Sequence, residues 1–313
     1  MSIGGADYKL LETFVAVVDA KGISNAQSML GKDSSTISRA IAQLELRLGI
    51  HLCERGRQGF SLTPEGFEVY RAALSALASF RRLEDKIESI KGVSEGKLKI
   101  AMIDNILCDP CCPLTDVLKQ FSHDVPRSSD LQIGLSVLSP DQMEQQLEER
   151  RIDLALGIFE THRTNLRYQF LYQEVDYLYC ATDNPLAAIE SDDDIRNALV
   201  EQRFVTRKFL EDSELRLLGI RMREDFVHTD NIEAVTQLVL AGLCIGFIPR
   251  HYAAPLVERG LLRPLLTGHL FRTSNIEIAC LEESVTTRPA VAHFLSYLER
   301  EMAPDQNMQV SQA

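Results

Sequence analysis

Four short polar side chains open the stretch DSSTISRAIAQLELRLG, residues 33–49. Asp33 supplies a carboxylate, Ser34, Ser35, Thr36 and Ser38 supply hydroxyls, and Arg39 supplies a guanidinium. Such short polar residues are weak helix formers, because their side chains compete for backbone hydrogen bonds. The segment nevertheless continues as an apolar ladder: Ile37, Ile41, Leu44 and Leu48 recur at spacings of four, three and four, which predicts a helix with one buried stripe. Asp33 stands at the N-cap position, where a side-chain oxygen meets the free amides of the first turn. On the wheel Ser35, Arg39 and Ala42 project away from the stripe, flanked by Thr36 and Ser38. Small hydrogen-bonding groups around one guanidinium suit close approach to a DNA major groove, with hydroxyls on base edges or phosphates and Arg on guanine or phosphate. A solvated amphipathic helix would look the same, so the neighbouring elements decide.

CDPCC, carrying Cys108, Cys111 and Cys112, is a second reactive set. It suggests a redox- or metal-responsive alternative, through thiols whose pKa a helix N-terminus lowers or through a soft metal. Zinc needs four ligands, however, no second CxxC follows, and His123 has no paired spacing. The sequence favours loop and helix-start roles for the three, with no metal and no cofactor expected. Cys180, Cys244 and Cys280 lie in apolar strands and read as small core residues. With no Gly-rich phosphate loop, nucleophile elbow or metal-ligand pair, an enzyme is not expected.

The elements around the polar helix start supply its context. Leu11, Phe14, Val15 and Val18 mark one helix, Ile23–Leu30 a short second one, and GKD a tight turn into the third. That is a helix-turn-helix layout. HLCERGRQGFSLTPEG then predicts strands at His51–Glu54 and Phe60–Leu62 around a basic tip, where Arg55 and Arg57 reach phosphate or minor groove. TPEGFEVYRAALSALASFRRLEDKIESIKG continues as one long helix. Its Phe67, Tyr70, Leu74, Leu77, Leu83, Ile87 and Ile90 are spaced near a heptad seam that calls for a partner.

This region resembles the LysR-type transcriptional regulators in LLETFVAVVDAKGISNAQSML, STISRAIAQLELRLGIHLCER and LTPEG, in the family's order and spacing. Lys32, Ser35, Gln27 and Cys53 depart from residues common there. The resemblance implies a DNA-contacting set of Gln27, Ser34, Ser35, Thr36, Ser38, Arg39, Arg55 and Arg57. It also implies a long dimer helix, double-stranded promoter DNA, a small-molecule effector, self-association as a dimer or tetramer, and RNA polymerase as partner of an activator.

Charge divides at the same place. Residues 1–92 hold 12 Lys+Arg against 11 Asp+Glu, and residues 93–313 hold 21 against 34, within a net charge of −12. Such asymmetry suggests two jobs in one chain. The seven cysteines form no regular framework, the start lacks a signal-peptide pattern, and no apolar run approaches a membrane span, so the expected location is cytoplasmic.

Beyond residue 93, strands and helices alternate. Strands are predicted at Lys97–Ile103, Leu131–Val137, Asp153–Ile158, Val175–Ala181, Phe226–His228, Cys244–Pro249 and Ile276–Leu281. Helices are predicted near Pro113–Ser122, Pro140–Glu149, Leu210–Gly219, Asn231–Ala241, Arg250–Arg259 and Arg288–Glu301. The overall class is α plus α/β: a winged helix-turn-helix over 1–64, a linker helix over 65–92, and an effector domain over 93–303 with parallel sheets. By resemblance, that domain is two-lobed and similar to periplasmic binding proteins, with lobes at about 97–162 plus 268–302 and at about 163–267. Residues 304–313 read as a flexible tail. Ligands of open α/β sheets sit at the carboxyl ends of strands, which marks Asp104, Asn105, Ser139, Thr206, Phe247 and Ile248 as the candidate effector set. Asp104 there disfavours an anionic effector, and Thr229 and Asp230 read as the cap of the next helix.

Overall fold

The computed structural model describes residues 5–56, 59–91, 97–124, 132–210 and 227–302. Arg57, the expected helix beyond Leu210 and the expected tail lie outside these, as do the side chains of Arg55 and Ile90. The chain forms two compact units, Met1–Lys91 and Gly92–Ala313.

In the first unit, α1 (Gly5–Asp19), α2 (Ile23–Leu30) and α3 (Ser34–Leu48) close over Phe14, Val17, Ile37, Ile41 and Leu44, each at most 1% exposed. The turn between α2 and α3 is possible because Gly31 takes φ 59°, the left-handed conformation that caps α2. An ion pair and a hydrogen bond tie the elements: Arg47 of α3 meets Asp7 of α1 at 2.5 Å, and the Tyr70 hydroxyl donates to Asp19 at 2.6 Å. The wing pairs β1 (Cys53–Gly56) with β2 (Gly59–Leu62), with Gly56 opposite Gly59. This corrects the expected five-residue tip: Arg55 lies within β1, opposite Phe60, because the ladder continues to the glycines.

LTPEG has a physical reason. The Thr63 hydroxyl donates to the His51 carbonyl at 2.7 Å and accepts from the Gly66 amide at 2.9 Å. A Cβ on Gly66 would stand 1.9 Å from the Leu52 carbonyl oxygen, so only glycine fits where the wing meets α4 (Pro64–Lys91). That helix corrects the expected seam. Ala73 and Leu77 are buried in the core of the first unit, with Val69, Tyr70 and Leu74 packed against it. Phe67, Phe80, Leu83 and Ile87 are exposed. A stripe near a heptad spacing drifts around a straight helix, so Tyr70, Leu74 and Leu77 meet the core of the first unit while Phe67 before them and Leu83 and Ile87 after them stay uncovered.

The second unit carries one nine-stranded sheet ordered β4-β3-β5-β11-β6-β9-β7-β8, with β10 on β6. One lobe is built on β3 (Lys97–Met102), β4 (Gln132–Val137) and β5 (Leu154–Gly157), the other on β7 (Phe204–Arg207), β8 (Val227–Thr229) and β9 (Ile245–Pro249). Each trio is parallel, as expected. The whole sheet is mixed, because β6 (Leu166–Ala181) and β11 (Phe271–Leu281) cross antiparallel between the lobes and join them. The lobe of β3 closes over Leu98, Leu154, Phe121 and Phe294. The lobe of β9 closes over Phe204, Ile245 and Phe247 on one face and Val205, Val235 and Ile248 on the other. β7, β10 (Leu262–Leu265) and the helix Asp192–Ala198 were not separated in the sequence, and β6 and β11 begin several residues earlier than expected. Among the described residues, no helix is long and apolar enough to cross a membrane.

Candidate DNA-reading helix and effector cleft

At the start of α3 the carboxylate of Asp33 is fully engaged. Its Oδ1 accepts from the Thr36 amide at 2.8 Å and the Ser35 hydroxyl at 2.5 Å, and its Oδ2 accepts from the Thr36 hydroxyl at 2.8 Å. These donors hold its carboxyl far below the usual range, the Ser35 hydroxyl first. Arg39 Nε donates to the Ser35 carbonyl at 3.2 Å, and its Nη2 lies 3.4 Å from the Thr36 hydroxyl. Ser34, Ser35 and Arg39 are exposed, and Thr36 and Ser38 half-buried. The hydroxyls of Ser35 and Thr36 therefore donate to Asp33 and lie within reach of the Arg39 guanidinium, which sets all three side chains in one exposed polar cluster. Hydroxyls and a guanidinium on one exposed face have the donor and acceptor chemistry that base edges and phosphates match. Gln27, half-buried on α2, donates to the Ser24 carbonyl at 3.4 Å.

The cleft between the lobes sorts the expected effector residues. Asp104, after β3, accepts from the Ile232 amide at the start of the helix Ile232–Leu240 in the other lobe. That helix is N-capped by Asn231, whose side chain accepts from the Ala234 amide at 2.8 Å, so the cap is Asn231 rather than Thr229 or Asp230. Asn105, held at φ 59°, places Nδ2 3.4 Å from both Glu174 Oε1 and His251 Nε2. These two residues meet the cleft. Ser139 forms a capping box with Gln142, and Thr206 is buried, its hydroxyl donating to the Arg207 carbonyl at 3.2 Å. Phe247 and Ile248 lie on β9, which is buried on both faces, and each belongs to a packed core.

The sequence reading missed a polar row on the crossing strands. Tyr172, Glu174 and Asp176 alternate onto one face of β6, opposite Ile276, Ser274 and Arg272 of β11. Glu174, Asp176, Arg272 and Ser274 are all under 9% exposed. Asp176 Oδ2 pairs with Arg272 and lies 3.4 Å from Nη2 of Arg207, which packs on the Phe209 ring. Burial pulls the Arg272 guanidinium down to about 10, against the opposing fields of Glu174 and Glu160. Arg272 and Ser274 also line a cavity of about 370 Å³ with Ile158, Phe159, Glu160 and His162, within the range that holds small ligands. The signal was present in YQEVDYLY, where two carboxylates interrupt an otherwise apolar strand.

The cysteines behave differently from the redox expectation. Burial and the Asp109 carboxylate push the Cys111 thiol up, and burial pushes Cys112 up. Among the described residues, the side chains close enough to share a metal are Asp109, Glu174 and His251, within 4.8 Å of one another, and they include no cysteine.

A helix-turn-helix with a wing, a long helix and a two-lobed α/β unit together define a bacterial transcriptional regulator. The chain belongs to the LysR family: the helix-turn-helix model of that family matches residues 8–67, and the LysR substrate-binding domain matches residues 91–303. It is 30% identical over 260 residues to the transcriptional activator BauR of Pseudomonas aeruginosa, covering 83% of this chain and 84% of that one. It is 27% identical to the RuBisCO operon transcriptional regulator of Allochromatium vinosum, covering 77% and 78%. Among solved structures it resembles Vibrio cholerae AphB, with TM-score 0.57, 17% identity and coverage of 93% and 98%. Full-length CbnR, solved in complex with its target DNA, matches with TM-score 0.60, 17% identity and coverage of 95% and 99%. These relatives are regulators, and the chain is a DNA-binding regulator rather than an enzyme.

Proposed function

We propose that the exposed face of α3 reads promoter DNA, with Ser34, Ser35, Thr36, Ser38 and Arg39 in the major groove, Gln27 beside them, and Arg55 and Arg57 on the flanking backbone. The effector binds between the two lobes of the second unit and changes the regulator's action on that DNA. The observation that carries the first part is the Asp33 network, which fixes Ser35, Thr36 and Arg39 before any DNA arrives. The second part is supported by buried polar side chains gathered where β6 and β11 cross between lobes. The exposed Phe67, Phe80, Leu83 and Ile87 supply a surface for self-association into a dimer or tetramer, which would pair two reading heads. Likeness to an activator adds RNA polymerase as a partner, and the cytoplasm as location. The test is footprinting of the full chain on its promoter DNA, repeated with Arg39→Ala. Loss of the protected region supports the reading, and an unchanged footprint rejects it.

A further inference from the structure

Asp109, Glu174 and His251 are distant in sequence and come from three parts of the second unit. Asp109 follows the short turn Ile106–Cys108 of one lobe, Glu174 stands on the crossing strand β6, and His251 opens the helix Arg250–Glu258 of the other lobe. One donor atom from each lies within 4.8 Å of the other two. Asp109 is 8% exposed, Glu174 3% and the His251 side chain 11%. Buried carboxylates are costly unless a cation answers them. Among the described residues, no Lys or Arg forms an ion pair with either of these two. Asp109 Oδ1 accepts from the Cys111 amide at 2.8 Å, which leaves Oδ2 facing His251 Nδ1 at 3.5 Å. Glu174 Oε2 has no hydrogen-bond partner, and neither has Asn105 Oδ1 beside it or the Tyr172 hydroxyl one step along the row. The remaining unpartnered atoms on β6 and β7, Asp176 Oδ1 with Arg207 Nε and Nη1, belong to an ion network whose charges already meet.

We propose that Asp109, Glu174 and His251 hold one divalent first-row transition-metal ion, of the Zn²⁺ or Mn²⁺ kind, that clasps the two lobes across β6. Ligand atoms about 2.1 Å from an ion stand about 3–4 Å from one another. The 3.5 Å between Asp109 and His251 already fits, and a bare ion needs no open cavity. Two carboxylates and one imidazole suit such ions better than Mg²⁺ or Ca²⁺, which take oxygen, or Cu⁺, which takes sulfur. Two negative charges meet two positive ones, so this end of the row keeps no net charge. With Nδ1 on the ion, the His251 proton sits on Nε2, where the Asn105 carboxamide, turned over, accepts it through Oδ1. A protonated His251 is the rival without metal: it would pair with Asp109 and still leave Glu174 Oε2 unmet. The regulatory part rests on the cleft being the effector site. Because the ligands come from both lobes, the ion favours the arrangement in which they meet, by its difference in affinity for the two arrangements.

The experiment is calorimetric titration of the full chain, stripped with EDTA, with Zn²⁺, Mn²⁺, Mg²⁺ and Ca²⁺ in turn. Zn²⁺ or Mn²⁺ should bind, with Mg²⁺ and Ca²⁺ at least about tenfold weaker. Glu174→Gln, neutral and close in shape, should weaken that binding at least about tenfold, while its metal-free unfolding midpoint stays near the parent's. His251→Gln should do the same, and should one of the two fail to fold, the other decides. The double change Cys108→Ser and Cys111→Ser should bind like the parent, which separates this site from the exposed thiols. Saturating metal should raise the unfolding midpoint of the parent and leave that of Glu174→Gln in place. The proposal is overturned if neither Zn²⁺ nor Mn²⁺ binds, if Mg²⁺ or Ca²⁺ binds as tightly, if Glu174→Gln binds like the parent, or if the cysteine changes abolish binding. If no metal binds but Glu174→Gln still weakens the response to an effector of another class, the clasp is rejected and the cleft stands as the effector site. If that response is also indifferent to Glu174→Gln, the cleft is rejected with it.

Discussion

The carboxylate of Asp104 accepts a hydrogen bond from the backbone amide of Ile232 at 2.5 Å. Asp104 follows a strand of one lobe, and Ile232 begins a helix of the other, so one side chain meets a helix start across the cleft. A carboxylate at a helix N-terminus meets both free amides and the positive end of the dipole. Asp104→Ala should therefore destabilise the second unit by about 0.5–2 kcal/mol and shift the effector concentration needed for half response. Thermal unfolding and an effector titration check this, and no change in either would mean the contact does not hold the lobes.

Ser35→Ala and Arg39→Ala should leave the fold intact and weaken specific DNA binding, by about 1–3 kcal/mol if a base contact is lost. If Arg39 meets phosphate instead, binding to all sequences should weaken and the salt slope should fall by about one. Binding titrations at several salt concentrations separate the two cases. Parental affinity in both variants would show that another face reads the DNA.

Along α4, the structure predicts opposite outcomes for neighbouring apolar residues. Leu77→Ala opens a cavity in the first unit and should cost about 2–5 kcal/mol. The double change Leu83→Glu and Ile87→Glu touches exposed side chains, so it should preserve folding while sedimentation shows dissociation. A double variant that stays associated places the interface elsewhere.

The thiols give a pH signature. Burial pushes Cys180 and Cys280 up to about 11, above about 8.5 for an unfolded cysteine. A raised folded pKa means the native state keeps its proton longer, so this stability is fully present below about pH 8.5. It is lost as pH rises toward 11. Unfolding midpoints should fall across that window, and Cys280→Ala should flatten the fall. At neutral pH, alkylation of Cys112 should be slower than that of a free thiol, since burial raises its pKa too. Rapid labelling of Cys112 would revive an oxidant-sensing role.

The first unit was legible because its signals are local. Asp33, the glycine after α2 and the apolar spacing of α3 each act within a few residues, and the bounds of α2 and the N-cap of α3 fall as predicted. The cleft was not legible, because its chemistry arises from register. Asp176 meets Arg272 only through pairing of strands some hundred residues apart in sequence. Arg207, one residue past the expected Thr206, carries the unpartnered donors. Phe247 and Ile248 sit at a strand's end, and the strand there is covered on both faces, which the sequence pattern did not show. The seam on α4 misled for the same reason: periodicity marks an apolar stripe without saying what covers it.

The most direct test of the account is fluorescence anisotropy of the full chain on DNA from its own promoter, with and without effector, for the parent, Arg39→Ala and Glu174→Gln. The account predicts that Arg39→Ala loses DNA affinity at every effector concentration. It predicts that Glu174→Gln binds DNA like the parent without effector and responds only at higher effector concentration. An effector response unchanged by Glu174→Gln, together with DNA binding unchanged by Arg39→Ala, would contradict it.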